Sequence, residues 1–224
     1  MRRRVQQELL DSQAASPEEI QESLADLRRI NLRYGGVETM RSLLERVAVK
    51  SARRELRVLD VAAGSGDALT QASAELGRAN IAVEPFFVDR WAEHIRNAVS
   101  DTRIVADAFS LPFGDASFDV VTCSLFLHHL EPQEMRRFAV EALRVARIAF
   151  VANDLRRSRI HLSINYLATP TFGRVTRHDA PTSVRRSYTL REARAILQSV
   201  PASITGIEMS KHFLFRYGAI VWKT

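Results

Sequence analysis

The stretch Val58-Leu59-Asp60-Val61-Ala62-Ala63-Gly64-Ser65-Gly66-Asp67 restricts the fold more than any other part of this chain. An apolar strand runs into a turn of small residues, and Asp67 opens a helix that stops near Gly77. Gly64 and Gly66 let the backbone turn tightly and approach a ligand closely. The first N–H groups of the following helix then point at that ligand and favour an anionic group. A unit of this kind belongs to an α/β domain that binds its ligand at the carboxyl edge of a parallel sheet.

The alternation continues beyond this unit. Strands are expected at Arg57 to Val61, Ile81 to Val88, Ile104 to Ala106, Phe118 to Ser124 and Ile148 to Ala152. Helices are expected at Asp67 to Leu76, Trp91 to Val99 and from Pro132 to Val145. Two helices precede the first strand. One is opened by the capping box Ser16-Pro17-Glu18-Glu19 and ended by Tyr34-Gly35-Gly36, and the other spans Val37 to Val49. Asp154 to Ser187 is rich in Arg, Ser, Thr and Pro and weakly periodic, so it reads as irregular. Thr189-x-x-Glu192 opens a last helix through Leu197. Strands near Ile204 to Met209 and Phe213 to Trp222, joined by Ser210-Lys211-His212, should pair as an antiparallel hairpin.

Three acids fall at the carboxyl ends of successive strands: Asp60, Asp89 and Asp107. Together they point at one crevice. The dinucleotide fingerprint wants Gly or Ala three residues after Gly66, and Leu69 stands there. Asp60 suits a cationic group, such as the ammonium of a methionyl moiety, better than a pyrophosphate. Asp89 can accept both hydroxyls of a ribose, and Asp107 with the Ala108 N–H can read an adenine edge.

With these residues in view, the chain resembles the class I S-adenosylmethionine-dependent methyltransferases, nearest the ubiquinone and menaquinone branch. The resemblance rests on Val58 to Gly66, Asp107-Ala108-Phe109-Ser110-Leu111-Pro112-Phe113, Ser117-Phe118-Asp119-Val120-Val121 and Leu127-His128-His129-Leu130. It covers about Arg57 to Asp154. The flanks Arg29 to Gly36, Asn153 to Ser158 and Asp179 to Tyr188 are similar to a bacterial group associated with polyketide-type phenolic products. Ala63 departs from many relatives, which carry Cys or Gly there, but a small residue is kept.

The resemblance implies a Rossmann-like fold: a seven-stranded, mostly parallel sheet with a C-terminal antiparallel hairpin and N-terminal helices. It divides a single domain into an N-terminal helical lid (1–50), a cofactor-binding core (51–153), an acceptor-pocket insertion (154–188) and a C-terminal helix with hairpin (189–224). S-adenosylmethionine is the expected cofactor. Asp60 and the glycine loop hold its methionyl part, Asp89 its ribose, and Asp107 with Ala108 its adenine. Arg33, Ala62, Gly64, Gly66, Arg90 and Ser124 complete the candidate cofactor set. Residues 31–36 are expected to fold over the cofactor, with Arg33 or Tyr34 near its carboxylate; a plain glycine cap between two helices is the alternative.

A phenolic acceptor must lose its proton, and imidazole titrates near neutrality. His128 and His129, after the fourth strand, are therefore candidate catalytic bases, with His178-Asp179 as a second pair. The acceptor is expected to be a small aromatic molecule, a phenolic or polyketide-like oxygen of secondary metabolism. Carbon methylation of a quinone precursor is the runner-up, and a non-catalytic cofactor-binding protein or an RNA methyltransferase are further options.

Composition trims the alternatives. The 224 residues are 46% hydrophobic and 26% charged, which suffices for one sizeable core. No apolar run approaches the roughly 20 residues of a membrane helix, and no apolar signal core follows Met1-Arg2-Arg3-Arg4. A cytoplasmic protein without membrane insertion is expected. The net charge of +6 comes from arginines scattered among acids, so no nucleic-acid partner is expected. The lone Cys123 rules out an internal disulfide and a multi-cysteine zinc site, and no metal is assigned.

Overall fold

A computed structural model describes residues 1–12, 14–96, 102–168, 171–200 and 204–223. The core is a seven-stranded sheet: β1 (Glu55–Val61), β2 (Ala82–Asp89), β3 (Arg103–Val105), β4 (Phe118–Ser124), β5 (Ala146–Leu155), β6 (Ile204–His212) and β7 (Arg216–Lys223). Its order is β3-β2-β1-β4-β5-β7-β6. The pairs up to β5 are parallel, and β7 runs antiparallel to both β5 and β6. This is the expected Rossmann-like methyltransferase layout.

Strand alternation sends neighbouring residues to opposite faces, so the sheet has a separate core on each side. On one face Val120 and Phe87 pack with Met40 and Leu44 of α2 (Gly36–Lys50) and Leu69 and Leu76 of α3 (Asp67–Arg78). On the other, Val121, Phe150 and Tyr217 pack with Met135 and Phe138 of α5 (Pro132–Val145) and Leu197 of α8 (Leu190–Gln198). The capping boxes at Ser16, which opens α1 (Pro17–Arg33), and at Thr189 both form. A third caps α5 through Glu131 and Glu134.

Three expectations are corrected. The segment from Asp154 to Ser187 is mostly helical: α6 (Arg159–Ala168) and α7 (Arg174–Arg186) follow β5. The buried residues of α7 mix Val175, Pro181 and Val184 with Thr176, Asp179, Thr182, Ser183 and Arg186, so no clean apolar stripe marks it. The hairpin turn lies at Phe213-Leu214-Phe215 rather than Ser210-Lys211-His212, with Leu214 and Phe215 in the left-handed region. The helix expected over Trp91 to Val99 is the short α4 (Ala92–Ile95); positions 97–99 lie outside the described residues. Among the described residues, no helix is long and apolar enough to cross a membrane.

Gly66 is a demanding position. Its φ is +70°, and a Cβ would lie 2.8 Å from the Phe87 ring, which is fully buried. Gly66→Ala should therefore cost about 2 kcal/mol or more, combining left-handed strain with overpacking. Denaturant unfolding checks this, and a loss below ~0.5 kcal/mol would show that the turn relaxes freely.

Candidate active site

A cavity of about 780 Å³ opens over the carboxyl edge of the sheet. One half is built on the ends of β1, β2 and β3. Asp60 is fully buried there, and one carboxylate oxygen accepts the Thr122 hydroxyl at 2.8 Å. Burial pushes this carboxyl up to about 7, the Thr122 hydrogen bond opposes the rise, and neighbouring Asp89 adds to it. Among the described residues no lysine or arginine pairs with it. Asp89 accepts the Gly64 N–H at 2.9 Å and the Trp91 N–H at 3.0 Å, one on each oxygen. These bonds fix its orientation and leave lone pairs on both oxygens. Asp107 is exposed at the far end and accepts the Phe109 N–H at 2.9 Å.

Ala62, Gly64, Ser65, Arg90, Ala108 and Ser124 line the same half. Ala62, a non-glycine residue at φ 56°, holds the strained bend after β1. Gly64, at φ +54°, faces open space: a Cβ there would meet only Leu24, at 3.7 Å. This donor set fits S-adenosylmethionine. A buried carboxylate lacks a cation, a second is oriented with lone pairs free, and a backbone turn is left bare for close approach.

Two candidates stand elsewhere. Gly66 is absent from the cavity lining, and Phe87 explains the need for glycine there. Arg33 is exposed and does not line the cavity either. Arg28, Arg90 and Arg186 reach the lining, as does Arg216 at the start of β7, which the antiparallel register brings to the carboxyl edge opposite Leu155. It donates to the Tyr34 carbonyl at 3.0 Å and to Asn31 Oδ1 at 3.0 Å. Asn31 and Tyr34 line the cavity. Arg216 is fully buried, and burial lowers its pKa to about 10 against the pull of Asp154. Nothing in the sequence singled it out, because it opens an otherwise apolar strand.

The other half of the cavity is lined by Leu125, Phe126, Ile164, Phe172 and Phe215, with His128 and His129 among them. The 3-10 turn Leu127–His129 presents both histidines. His128 is buried; its Nδ1 lies 2.7 Å from Asp154 Oδ1, and its Nε2 lies 3.5 Å from Glu8 Oε1. Burial works against its charge, but Asp154 and Glu8 outweigh it and raise the imidazole to about 10. Burial likewise works to raise the Glu8 carboxyl, yet His129 and His128 bring it down to about 2. His129 Nδ1 lies 2.6 Å from Asp11 Oδ2. Glu8, Asp11 and Asp154 were not among the expected site residues. The first two sit in an irregular segment with no helical or strand pattern.

Residues 1–11 form a strap over this half. Arg3 donates to the carbonyls of Arg186 and Leu130 and pairs with Glu131 at 2.9 Å, while its guanidinium lies over the Tyr188 ring. Ser183 donates to Glu8 at 2.8 Å. Asp179 accepts the Leu9 and Leu10 N–H groups at 2.8 and 2.9 Å. His178 lies 2.7 Å from Asp179 and outside the cavity lining, whereas Asp179 reaches the lining while it anchors the strap through the Leu9 and Leu10 N–H groups. His161, from α6, does line the cavity, stacked on Phe215; burial lowers it to about 4.

Residues 59–148 match the family model described as a methyltransferase domain. The ubiquinone/menaquinone biosynthesis C-methyltransferase of Idiomarina loihiensis is 33% identical over 89 residues, 37% of this chain and 36% of that protein. The chain thus spans about a third of the length of that curated relative. Two solved structures share the fold. A SAM-dependent methyltransferase from Aquifex aeolicus aligns at TM-score 0.64 and 16% identity, over 94% of this chain and 100% of its own. The plantazolicin methyltransferase in complex with SAH aligns at 0.67 and 13%, over 92% and 96%.

If Asp179 anchors the strap, Asp179→Ala should speed tryptic cleavage after Arg4 at least tenfold. Each lost hydrogen bond to a charged group is worth about 1.5–3 kcal/mol, and local opening rises accordingly. Cleavage at the parent rate would show that the other contacts hold the strap unaided.

Proposed function

We propose that this chain, a class I methyltransferase in its fold and in residues 59–148, transfers a methyl group from S-adenosylmethionine to an oxygen of a small aromatic acceptor, phenolic or polyketide-like. One observation carries the reading. A single cavity has three strand-end carboxylates beside a bare glycine turn in one half, and an aromatic-walled chamber with His128 and His129 in the other.

The cofactor supplies a methyl group on a positively charged sulfur, so the leaving group is already activated. The chain's own task is positioning. Asp60 and the Gly64 turn hold the methionyl end, Asp89 the ribose, and Asp107 with Ala108 the adenine. Ser124, at the end of β4, borders the passage between the two halves. Phe126, Phe172 and Phe215 provide flat apolar walls for an aromatic ring, and the strap excludes water above it. His128 and His129 stand where the acceptor oxygen arrives. With both Nε2 atoms facing Glu8, they serve to orient that oxygen rather than to wait as free bases.

A second reading, carbon methylation of a quinone precursor, is favoured by the name of the Idiomarina relative. A labelled-methyl screen over phenols, quinones, lipids and RNA separates the readings. We expect a methyl ether on a phenolic acceptor. A carbon-bound methyl group would move the assignment to the quinone reading, methylated RNA would overturn the small-molecule assignment, and S-adenosylhomocysteine binding without any transfer would make the chain a cofactor-binding protein.

The cofactor half makes its own prediction. A cationic ammonium binds the ionised form of Asp60, whose carboxyl is raised to about 7 in the free protein. Binding therefore releases a proton below that pH. S-adenosylmethionine affinity should rise up to tenfold per pH unit towards about 7 and level off above it, and Asp60→Asn should flatten the profile. Asp89→Ala should weaken binding by about 1.5–3 kcal/mol, roughly 10- to 150-fold. Calorimetry across about pH 5.5–8.5 checks both; a flat parent profile would remove Asp60 from the ammonium site.

A further inference from the structure

Glu8, His128 and His129 bring three ligand atoms to one point on the cavity wall. Glu8 Oε1 is 3.5 Å from His128 Nε2, and Glu8 Oε2 is 3.7 Å from His129 Nε2. One such atom from each residue lies within 4.8 Å of the others. The two imidazole centroids are 4.2 Å apart. Each ring is fixed from behind by a carboxylate at its Nδ1, Asp154 at 2.7 Å and Asp11 at 2.6 Å. An Nδ1–H that donates to a carboxylate leaves the Nε2 lone pair for a ligand, and metal-binding histidines are almost always supported in this way. His128 Nε2 is buried and makes no hydrogen bond.

We propose that Glu8, His128 and His129 bind a divalent transition-metal ion, oriented by Asp11 and Asp154, at the acceptor end of the cavity. Ligand atoms about 2.0–2.1 Å from a zinc ion lie about 3–3.5 Å from one another, so the observed spacing closes onto an ion with small side-chain shifts. Two imidazoles with one carboxylate suit Zn²⁺, Fe²⁺, Co²⁺ or Mn²⁺, and three protein ligands leave open positions. Three carboxylates surround the two rings, and the nearest fixed cation is Arg186, 4.0 Å from Glu8. The three carboxylates favour a cation at this point, and a bound dication replaces the proton that His128 otherwise holds between Asp154 and Glu8.

Two consequences follow. Glu8 belongs to the strap, whereas His128 and His129 belong to the wall beneath it, so the ion ties the strap down. Its open positions face the chamber that the proposed methyl transfer assigns to the acceptor, so it orients an acceptor oxygen; that use rests on the methyl-transfer reading, whereas metal binding itself does not. The sequence assigned no metal because residue 8 and residues 128–129 are far apart in the chain and form no spacing motif.

The test uses the full chain after EDTA treatment. Co²⁺ should produce visible absorption bands that saturate at about one equivalent, and Zn²⁺ should displace it. Calorimetry with Zn²⁺ alone should show Glu8→Ala weakening binding at least 100-fold and Asp11→Asn weakening it about 10- to 100-fold. Zn²⁺ should also slow tryptic cleavage after Arg4 in the parent and not in Glu8→Ala. S-adenosylhomocysteine binding, measured alongside, shows that each variant is folded. The absence of a saturable Co²⁺ spectrum, or parental Zn²⁺ affinity in both variants, overturns the proposal and leaves the cluster an ion-paired latch. Zn²⁺ binding with the expected variant losses supports the metal site even if the methyl screen fails, and an EDTA-treated chain that methylates yet binds no metal loses the site alone.

Discussion

Asp60 sits at the carboxyl end of β1 with one hydrogen bond, from Thr122, and no described cation beside it. A buried carboxylate in that state is costly unless something pairs with it, and its pKa has moved up to about 7 as a result. The surroundings explain why it is tolerated. Val58, Leu59 and Val61 around it are fully buried, and the carboxyl faces the crevice. Asp89, which helps to raise it, is itself held by the Gly64 and Trp91 N–H groups. The glycine turn, the second carboxylate and the first thus form one unit in which each fixes the next. A ligand carrying an ammonium group beside a ribose supplies what the unit lacks.

The opposite half of the cavity is arranged on a different principle. Its charges are already paired: Asp154 with His128, Asp11 with His129, and Glu8 between the two rings. Asp154 also accepts the His128 and Leu155 N–H groups, which locks the 3-10 turn to the end of β5. Arg216, one strand away, ties that edge to Asn31 and Tyr34. The edge of the sheet, the break between α1 and α2 and the histidine turn are therefore linked by hydrogen bonds through Asn153, Arg216 and Asp154.

How much of this could be read from the residues follows from where each signal comes from. β4 was bounded correctly because its residues are apolar and strand-forming, and the capping boxes located helix starts because the box is a local contact. The three acids could be placed because a parallel sheet sends every strand end to one edge. α6 and α7 escaped notice because an amphipathic pattern requires an apolar buried face, and α7 buries Thr176, Asp179 and Ser183 against α1 and the strap. Arg33 is legible as a candidate because it stands beside the Gly-Gly break; Arg216 carries no such local signal, and the antiparallel register of β7 brings it to the cavity. Glu8 and Asp11 acquire a role only through contacts more than a hundred residues away, which no local pattern records.

The strap also bears on how the cavity is used. It has no regular secondary structure beyond turns, so its order depends on side-chain clamps: Asp179 on the Leu9 and Leu10 amides, Ser183 on Glu8, and Arg3 on the carbonyls of Leu130 and Arg186. Segments held by few backbone bonds open at lower free energy than a packed sheet. Lifting such a segment would widen the way into the chamber that it covers. His128 keeps its Asp154 partner on β5 when the strap lifts, whereas His129 loses Asp11, which belongs to the strap. Opening would thus remove Glu8 and Asp11 from the histidine turn, and closing would reassemble the cluster over whatever occupies the chamber.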